Sequence, residues 1–212
     1  KYFILFGCAE DHDSNPIKMG LGKLKSKVDS KFVSVNPIKT GYSAIADQWI
    51  GIRPGTDGLF VHSLIYELLK SNKVDWDYLK KYTNANWLVY NNPGHENHGL
   101  FARDENNQTL VYCKHSKKIN STIKENSKPA FFGKFKYNNL EVIPSFELLS
   151  KEYLNPKYKP EKISELIDIE AKVIKKIAAE IAETAFEKEI EIKVDWEDHN
   201  GKKHSSFKGR PV

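Results

Sequence analysis

Two short stretches hold the residues best suited to chemistry: Asn36-Pro37-Ile38-Lys39-Thr40 and, a little further on, Arg53-Pro54-Gly55-Thr56-Asp57. The second combines a tight turn, a hydroxyl and a carboxylate at the start of an apolar helical pattern. Backbone N–H groups at a helix start, with the Thr56 hydroxyl, can hold phosphate or ribose oxygens. The neighbouring Asp57 carboxylate can accept two hydrogen bonds, which suits the N1–H and amino group of a guanine base. The same tripeptide also reads as an ordinary helix start, with Thr56 as the cap and Asp57 favourable in the first turn. Arg53 precedes a proline and is therefore held extended at a strand end. There it can meet a phosphate or form an ion pair.

The first loop, Gly7-Cys8-Ala9-Glu10-Asp11-His12-Asp13-Ser14-Asn15, gathers Glu, Asp and His at close spacing. It has no helical frame and no second His cluster, so it reads as a phosphate-contacting loop rather than a metal site. Cys8 and Cys113 are far apart, with no CxxC or zinc spacing. Two reduced thiols are the default, and a disulfide stays open. Cys8 reads as a small buried residue at a strand end. His95 and His98 flank Asn97, and His199 and His204 bracket a turn; neither pair has a helical i, i+4 frame, and both read as surface histidines. The chain has no nucleophile elbow, Walker loop or Gly-x-Gly-x-x-Gly.

These residues need elements to position them. Residues 2–6 are a continuous apolar run, as in a buried parallel strand. Asn15-Pro16 opens a helix whose face is marked by Ile17, Leu21 and Leu24. Residues 32–35 form a second strand ending in Asn36-Pro37, and residues 49–52 a short third. The connection between them is long, which marks it as functional. Leu59, Phe60, Ser63, Leu64, Tyr66, Leu68 and Leu69 make the helix after Asp57 largely buried. A shorter helix follows over 75–82, with Trp76, Leu79 and Tyr82 at spacings of three. Strands are predicted at 87–90 and 109–113 in an otherwise irregular stretch. From Pro160, Ile163, Leu166 and Ile167 make one helical stripe, and Val173, Ile174, Ile177, Ala178 and Ile181 another. Ile190, Ile192 and Val194 alternate with charged residues as in a half-exposed strand, and Asn200-Gly201 signals a hairpin turn. This layout defines an α/β chain: a parallel sheet with flanking helices plus an irregular α+β extension. Its parts are a nucleotide-binding portion at 1–85, a loop-rich insertion at 86–159, and a helix and hairpin returning to the α/β domain at 160–212. Crevices at the carboxyl ends of such strands are where nucleotides bind.

The 212 residues are 40% hydrophobic and 29% charged, a globular composition. No apolar run approaches the roughly 20 residues of a membrane span. The net charge of +5 is carried mostly by lysines of the 114–136 region, scattered among Asn, Ser and Glu without an aromatic stacking pattern. That reads as a solvated surface and not as a nucleic-acid footprint.

Together the pieces resemble the molybdopterin oxidoreductases of the dimethyl sulfoxide reductase superfamily. The clearest part is 32–83: a strand ending in Asn36-Pro37, then Thr40, Ala46-Asp47, Ile52-Arg53-Pro54-Gly55-Thr56-Asp57 and a buried helix, with Tyr82-Thr83 after a short helix. Tyr158-Lys159-Pro160-Glu161, Ile169-Glu170-Ala171, Ile174 and Ile177-Ala178 extend it. The resemblance implies a bis(molybdopterin guanine dinucleotide) cofactor holding Mo or W, with this region supplying a Rossmann-like domain for one guanine dinucleotide. It carries Asn36, Pro37, Thr40, Arg53, Gly55, Thr56 and Asp57 onto cofactor-contacting positions. Gly7, Ala9 and Glu10 fall in the first-strand loop, which would touch phosphate or pterin. Ala9 stands where many members have Asn, which removes that side-chain contact.

The cysteine motif for a 4Fe-4S cluster, the metal-ligating residue and the C-terminal cofactor-binding barrel have no counterpart in the 212 residues. The chain therefore reads as an internal piece of a catalytic subunit, inactive alone and without catalytic or metal-ligating residues of its own. The partner that the family implies is an iron–sulfur electron-transfer subunit, with or without a membrane anchor subunit, in a bacterial or archaeal membrane-associated complex. The segments 9–15 and 196–212 look most like members acting on sulfur oxyanions or polysulfide, sulfite first. The competing readings are a non-catalytic nucleotide- or cofactor-binding module and, without any motif for it, a basic RNA-binding domain.

Overall fold

The computed structural model describes residues 1–7, 16–26, 30–39, 41–121 and 128–210. The expectations placed on Cys8, Ala9, Glu10, Asn15 and Thr40 lie outside the described residues. In chain order the first elements are β1 (Tyr2–Phe6), α1 (Pro16–Lys25), β2 (Lys31–Val35), β3 (Gln48–Ile50), α2 (Asp57–Lys70) and α3 (Trp76–Tyr82). Next come β4 (Leu88–Tyr90), β5 (Val111–Cys113), β6 (Lys118–Asn120), β7 (Phe135–Tyr137), β8 (Leu140–Pro144) and α4 (Ser145–Tyr153). The last are α5 (Pro160–Ile167), α6 (Ala171–Glu187), β9 (Ile190–Ile192), β10 (Trp196–Glu197), β11 (Lys203–His204) and β12 (Phe207–Gly209). They fall into two compact units, Lys1–Lys73 with Pro156–Val212, and Val74–Asn155.

The first unit is built on a parallel sheet of order β1-β2-β3. Tyr2 to Phe6 pair with Lys31 to Val35, and Val33, Ser34 and Val35 with Gln48, Trp49 and Ile50. β2 is central, and Phe32, Val33 and Val35 are wholly buried. Its one polar core residue, Ser34, shares a hydrogen bond of 2.8 Å with buried Ser43 in the β2–β3 connection, so neither hydroxyl is stranded. β1 is not the buried strand its apolar run predicts. It pairs on one side only among the described residues, and Phe3 and Phe6 remain 37% and 36% exposed.

One face of the sheet meets α2, α5 and α6. Val33, Val35, Ile50, Ile52, Phe60, Leu64, Ile163, Ile167, Ile174 and Ile177 form this core. The opposite face carries a smaller cluster of Leu21, Phe32 and Tyr42. The α6 stripe is as predicted, with Ile174, Ile177 and Ala178 buried at helical spacing. The α5 stripe is not. Pro160, Ile163 and Ile167 face inward, whereas Leu166 is 49% exposed. At 100° per residue, Leu166 lies about a quarter turn from the centre of that face.

A polar cluster ties the start of the sheet to α6. The Tyr2 hydroxyl donates to Glu180 Oε2 at 2.7 Å, and Lys31 Nζ donates to the same oxygen at 2.5 Å. Burial pushes the Glu180 carboxyl up, but Lys31 and Tyr2 outweigh it and hold it below the ordinary value of 4.5. A depressed carboxyl contributes stability that is complete above that value and is lost as the pH falls below it. Hydrogen exchange of the β1 amides in the full-length parent protein is therefore expected to speed up below pH 4.5 relative to the rest of the sheet. In Glu180→Gln this acid limb is expected to flatten; an unchanged limb would exclude Glu180 as its source.

The second unit is antiparallel, and more ordered than the loop-rich insertion predicted for it. β8 runs between β4 and β7, and β5 pairs with β6. Asn138 and Asn139 both have positive φ, 49° and 64°, and close a two-residue turn between Tyr137 and Leu140. That is the hairpin geometry in which asparagine is tolerated. Leu88, Ala102, Leu110 and Val142 form the core. In α3, Asp75 caps by accepting from Tyr78 N at 2.9 Å. Trp76 packs on Phe131, Phe132 and Phe146, the last from the unforeseen helix α4. Tyr82, at the end of the same spacing, is exposed beside Tyr78. His95 and His98 shape their loop: each Nδ1 accepts a backbone N–H at 3.1 Å, from Asn97 and Asn92.

In the first unit, β9 pairs with β12 and β10 with β11. The predicted turn is a three-residue loop, His199-Asn200-Gly201, in which Gly201 alone has positive φ, 77°. Asp198 organises it by accepting from Asn200 N and Lys202 N, while its other oxygen meets His204 Nε2 at 3.0 Å. His204 stacks on Trp196 and is not the free surface histidine its sequence position implies. Val194, predicted within the strand of Ile190 and Ile192, lies beyond β9 and is half exposed.

Candidate functional site

Because β1, β2 and β3 are parallel, their carboxyl ends open at one edge of the sheet. Hydrogen bonds bind these ends together: Gly7 N donates to Val35 O at 3.0 Å, and Asn36 N to Ile50 O at 3.1 Å. Gly7 turns away from β1 at φ 50°, a conformation that strains any residue with a Cβ. Asn36 leads into exposed Pro37, its Oδ1 accepting weakly from Ile38 N at 3.4 Å.

Trp49 braces this edge. Its indole Nε1 donates to Asn36 O at 2.9 Å, and its ring lies so close over Gly51 that a Cβ there would sit 2.9 Å from a ring carbon. The sequence marks Trp49 only as a strand residue, and nothing in its spacing announces the contact.

After β3, buried Ile52 anchors the chain and Arg53 fixes its direction. The Arg53 N–H donates to Ile167 O at 3.1 Å. Its guanidinium meets the Asp168 carboxylate twice, at 3.0 and 2.8 Å. The cation expected at a phosphate is thus engaged with a residue 115 positions downstream, which no local pattern could reveal. Gly55 follows at φ 78° with open space around the position of a Cβ. Thr56 is the N-cap residue of α2, but its side chain makes no cap bond. Its hydroxyl donates backward to Arg53 O at 2.7 Å, which commits the proton predicted to be available to a ligand. Its carbonyl accepts from Leu59 N and Phe60 N.

Asp57 opens α2, partly buried, and its carboxylate makes no hydrogen bond or ion pair among the described residues. Gly7, Asn36, Pro37, Arg53, Gly55, Thr56 and Asp57 thus share the carboxyl edge of one sheet, while Ala9, Glu10 and Thr40 lie outside the described residues. Among the described residues no group of three or more His, Cys, Asp or Glu side chains could hold a metal ion. Nor is any described helix long and apolar enough to cross a membrane.

No family model matches the chain. Over 37% of its length it is 36% identical to the nitrate-inducible formate dehydrogenase major subunit of Escherichia coli, covering 8% of that protein. Over 29% it is 36% identical to dimethyl sulfoxide reductase DmsA of the same organism, again covering 8%. Acetylene hydratase from Pelobacter acetylenicus aligns with 88% of the chain and 17% of its own, at 17% identity and a TM-score of 0.47. The chain belongs to the molybdopterin oxidoreductases of the dimethyl sulfoxide reductase superfamily. Within it, the similarity to a sulfite dehydrogenase polypeptide of Allochromatium vinosum runs the full chain, at 37% identity. The chain spans 23% of the length of that protein.

Proposed function

We propose that this chain is the part of a molybdoenzyme catalytic subunit that holds one guanine dinucleotide of a bis(molybdopterin guanine dinucleotide) cofactor. The observation that carries the reading is the Asp57 carboxylate at the start of α2, without a partner among the described residues, beside the Gly55 turn at the carboxyl edge of a parallel sheet. A guanine base presents two N–H donors on one edge, and a carboxylate accepts both. The first-turn N–H groups of Asp57 and Gly58 have no intrahelical partner and suit phosphate or ribose oxygens. The open space at Gly55 leaves room for a ligand against the backbone. Asn36 and Pro37 form the second wall, held by the Trp49 bond. The residues present therefore fit the group.

When bound, the cofactor supplies the metal at which two electrons are exchanged. The residues of this chain bind and orient its nucleotide end. For the whole subunit we propose two-electron chemistry on a sulfur oxyanion, sulfite first, with electrons passing to an iron–sulfur partner. The similarity to a sulfite dehydrogenase along the full chain supports this choice.

The test is the metal and guanine content of the full-length parent protein, purified without air. Molybdenum or tungsten together with acid-released guanine, in the ratio a bis-dinucleotide cofactor sets, is the expected result. Guanine nucleotide without metal would favour a nucleotide-binding module. Neither would reduce the Gly55-Thr56-Asp57 turn to a helix start.

A further inference from the structure

We propose that Asp168 is a specificity-determining residue of this crevice: by holding Arg53 at the α5–α6 corner, it keeps the Asp57 carboxylate unpaired and open to the edge of a guanine base. The inference rests on the reading of Asp57 given above.

Arg53 stands four residues before Asp57, and the chain reverses between them at Gly55, where Thr56 N donates to Arg53 O at 3.3 Å. A flexible arginine one turn away from a carboxylate is its natural partner, and such pairs form two parallel hydrogen bonds. Those bonds would occupy both oxygens that a guanine edge needs. Arg53 does not make them. Its guanidinium donates to both oxygens of Asp168, and its backbone N–H to Ile167.

Asp168 is itself unusual. It ends α5 at φ 62°, a left-handed position where glycine or asparagine is the customary residue. Aspartate is strained there, and strain of this kind marks places where the side chain has another task. The only hydrogen bonds of its carboxylate among the described residues are those to Arg53.

The left-handed backbone makes Asp168→Gly a clean probe, because glycine suits that conformation and the fold keeps its corner. In the holo parent protein, Asp168→Gly and Asp168→Asn are expected to release guanine nucleotide about five-fold faster, with the melting temperature little changed. Arg53→Gln/Asp168→Gly removes the cation that would fall onto Asp57 and is expected to restore slow release. Release from Asp168→Gly at the wild-type rate, or from the double variant as fast as from Asp168→Gly, would overturn the proposal. Asp57→Asn separates the two readings. If it does not speed release, the guanine assignment itself fails; if it does while Asp168→Gly does not, only the role of Asp168 fails.

Discussion

Asp57→Ala in the full-length parent protein is expected to abolish stable retention of guanine nucleotide while leaving the fold intact. Hydrogen bonds to a charged group contribute about 1.5–3 kcal/mol each, so losing two corresponds to roughly 10²–10⁴ in affinity. The cost to the fold is small, because the carboxylate has no partner among the described residues. What the helix loses is a favourable charge in its first turn, about 0.3–1 kcal/mol. Asparagine is expected to do nearly as badly as alanine, since its amide turns a donor toward the donors of guanine. Acid-released guanine per polypeptide, read beside the melting temperature, decides the matter. Wild-type guanine content in Asp57→Ala would sink the binding assignment, whatever the activity of the variant.

The largest effect on structure is expected from Phe60→Ala. Phe60 is wholly buried in the core between the sheet and the helices α2, α5 and α6, with the Phe6 ring 6.0 Å away. Truncating a buried phenylalanine costs about 3–5 kcal/mol, the transfer term plus the cavity left behind. The position also lies one turn into α2, where its N–H donates to Thr56 O, so a collapse there loosens the turn that presents Asp57. In the parent protein the loss is best read locally. Amides of β1, β2 and α2 are expected to exchange roughly 10²–10³ times faster, and guanine retention to fall with them. Phe60→Leu keeps most of the volume and should cost less than about 1.5 kcal/mol. Unchanged protection in Phe60→Ala would mean that this core does not hold the crevice.

Much of the crevice was legible because its parts are local. Strand, turn and helix succeed one another within residues 31–70, and the apolar periods of β2, α2 and α6 announce their buried faces. The turn residues are equally local: Gly55 is needed because the chain there takes a positive φ. Errors cluster where burial depends on neighbours. The apolar run of β1 reads the same at an edge or in the centre, and the sheet order alone leaves Phe3 and Phe6 partly exposed. Leu166 fits a helical stripe, yet the helix turns it away from the core that Ile163 and Ile167 enter. The Asn138-Asn139 pair is a local hairpin signal that the predicted strands leave out.

Residue types and spacing by themselves determined that a polar turn, with a carboxylate, would stand at the head of a buried helix. Asn36-Pro37 and Ile52-Arg53-Pro54-Gly55-Thr56-Asp57 carried the resemblance to the family as well. Tertiary structure alone decided the partners of that turn. It placed Arg53 on Asp168 and the Trp49 indole on Asn36. The reason is physical: backbone propensity and hydrophobic period act over a few residues, whereas a hydrogen bond goes to whatever group the packed core brings within about 3 Å.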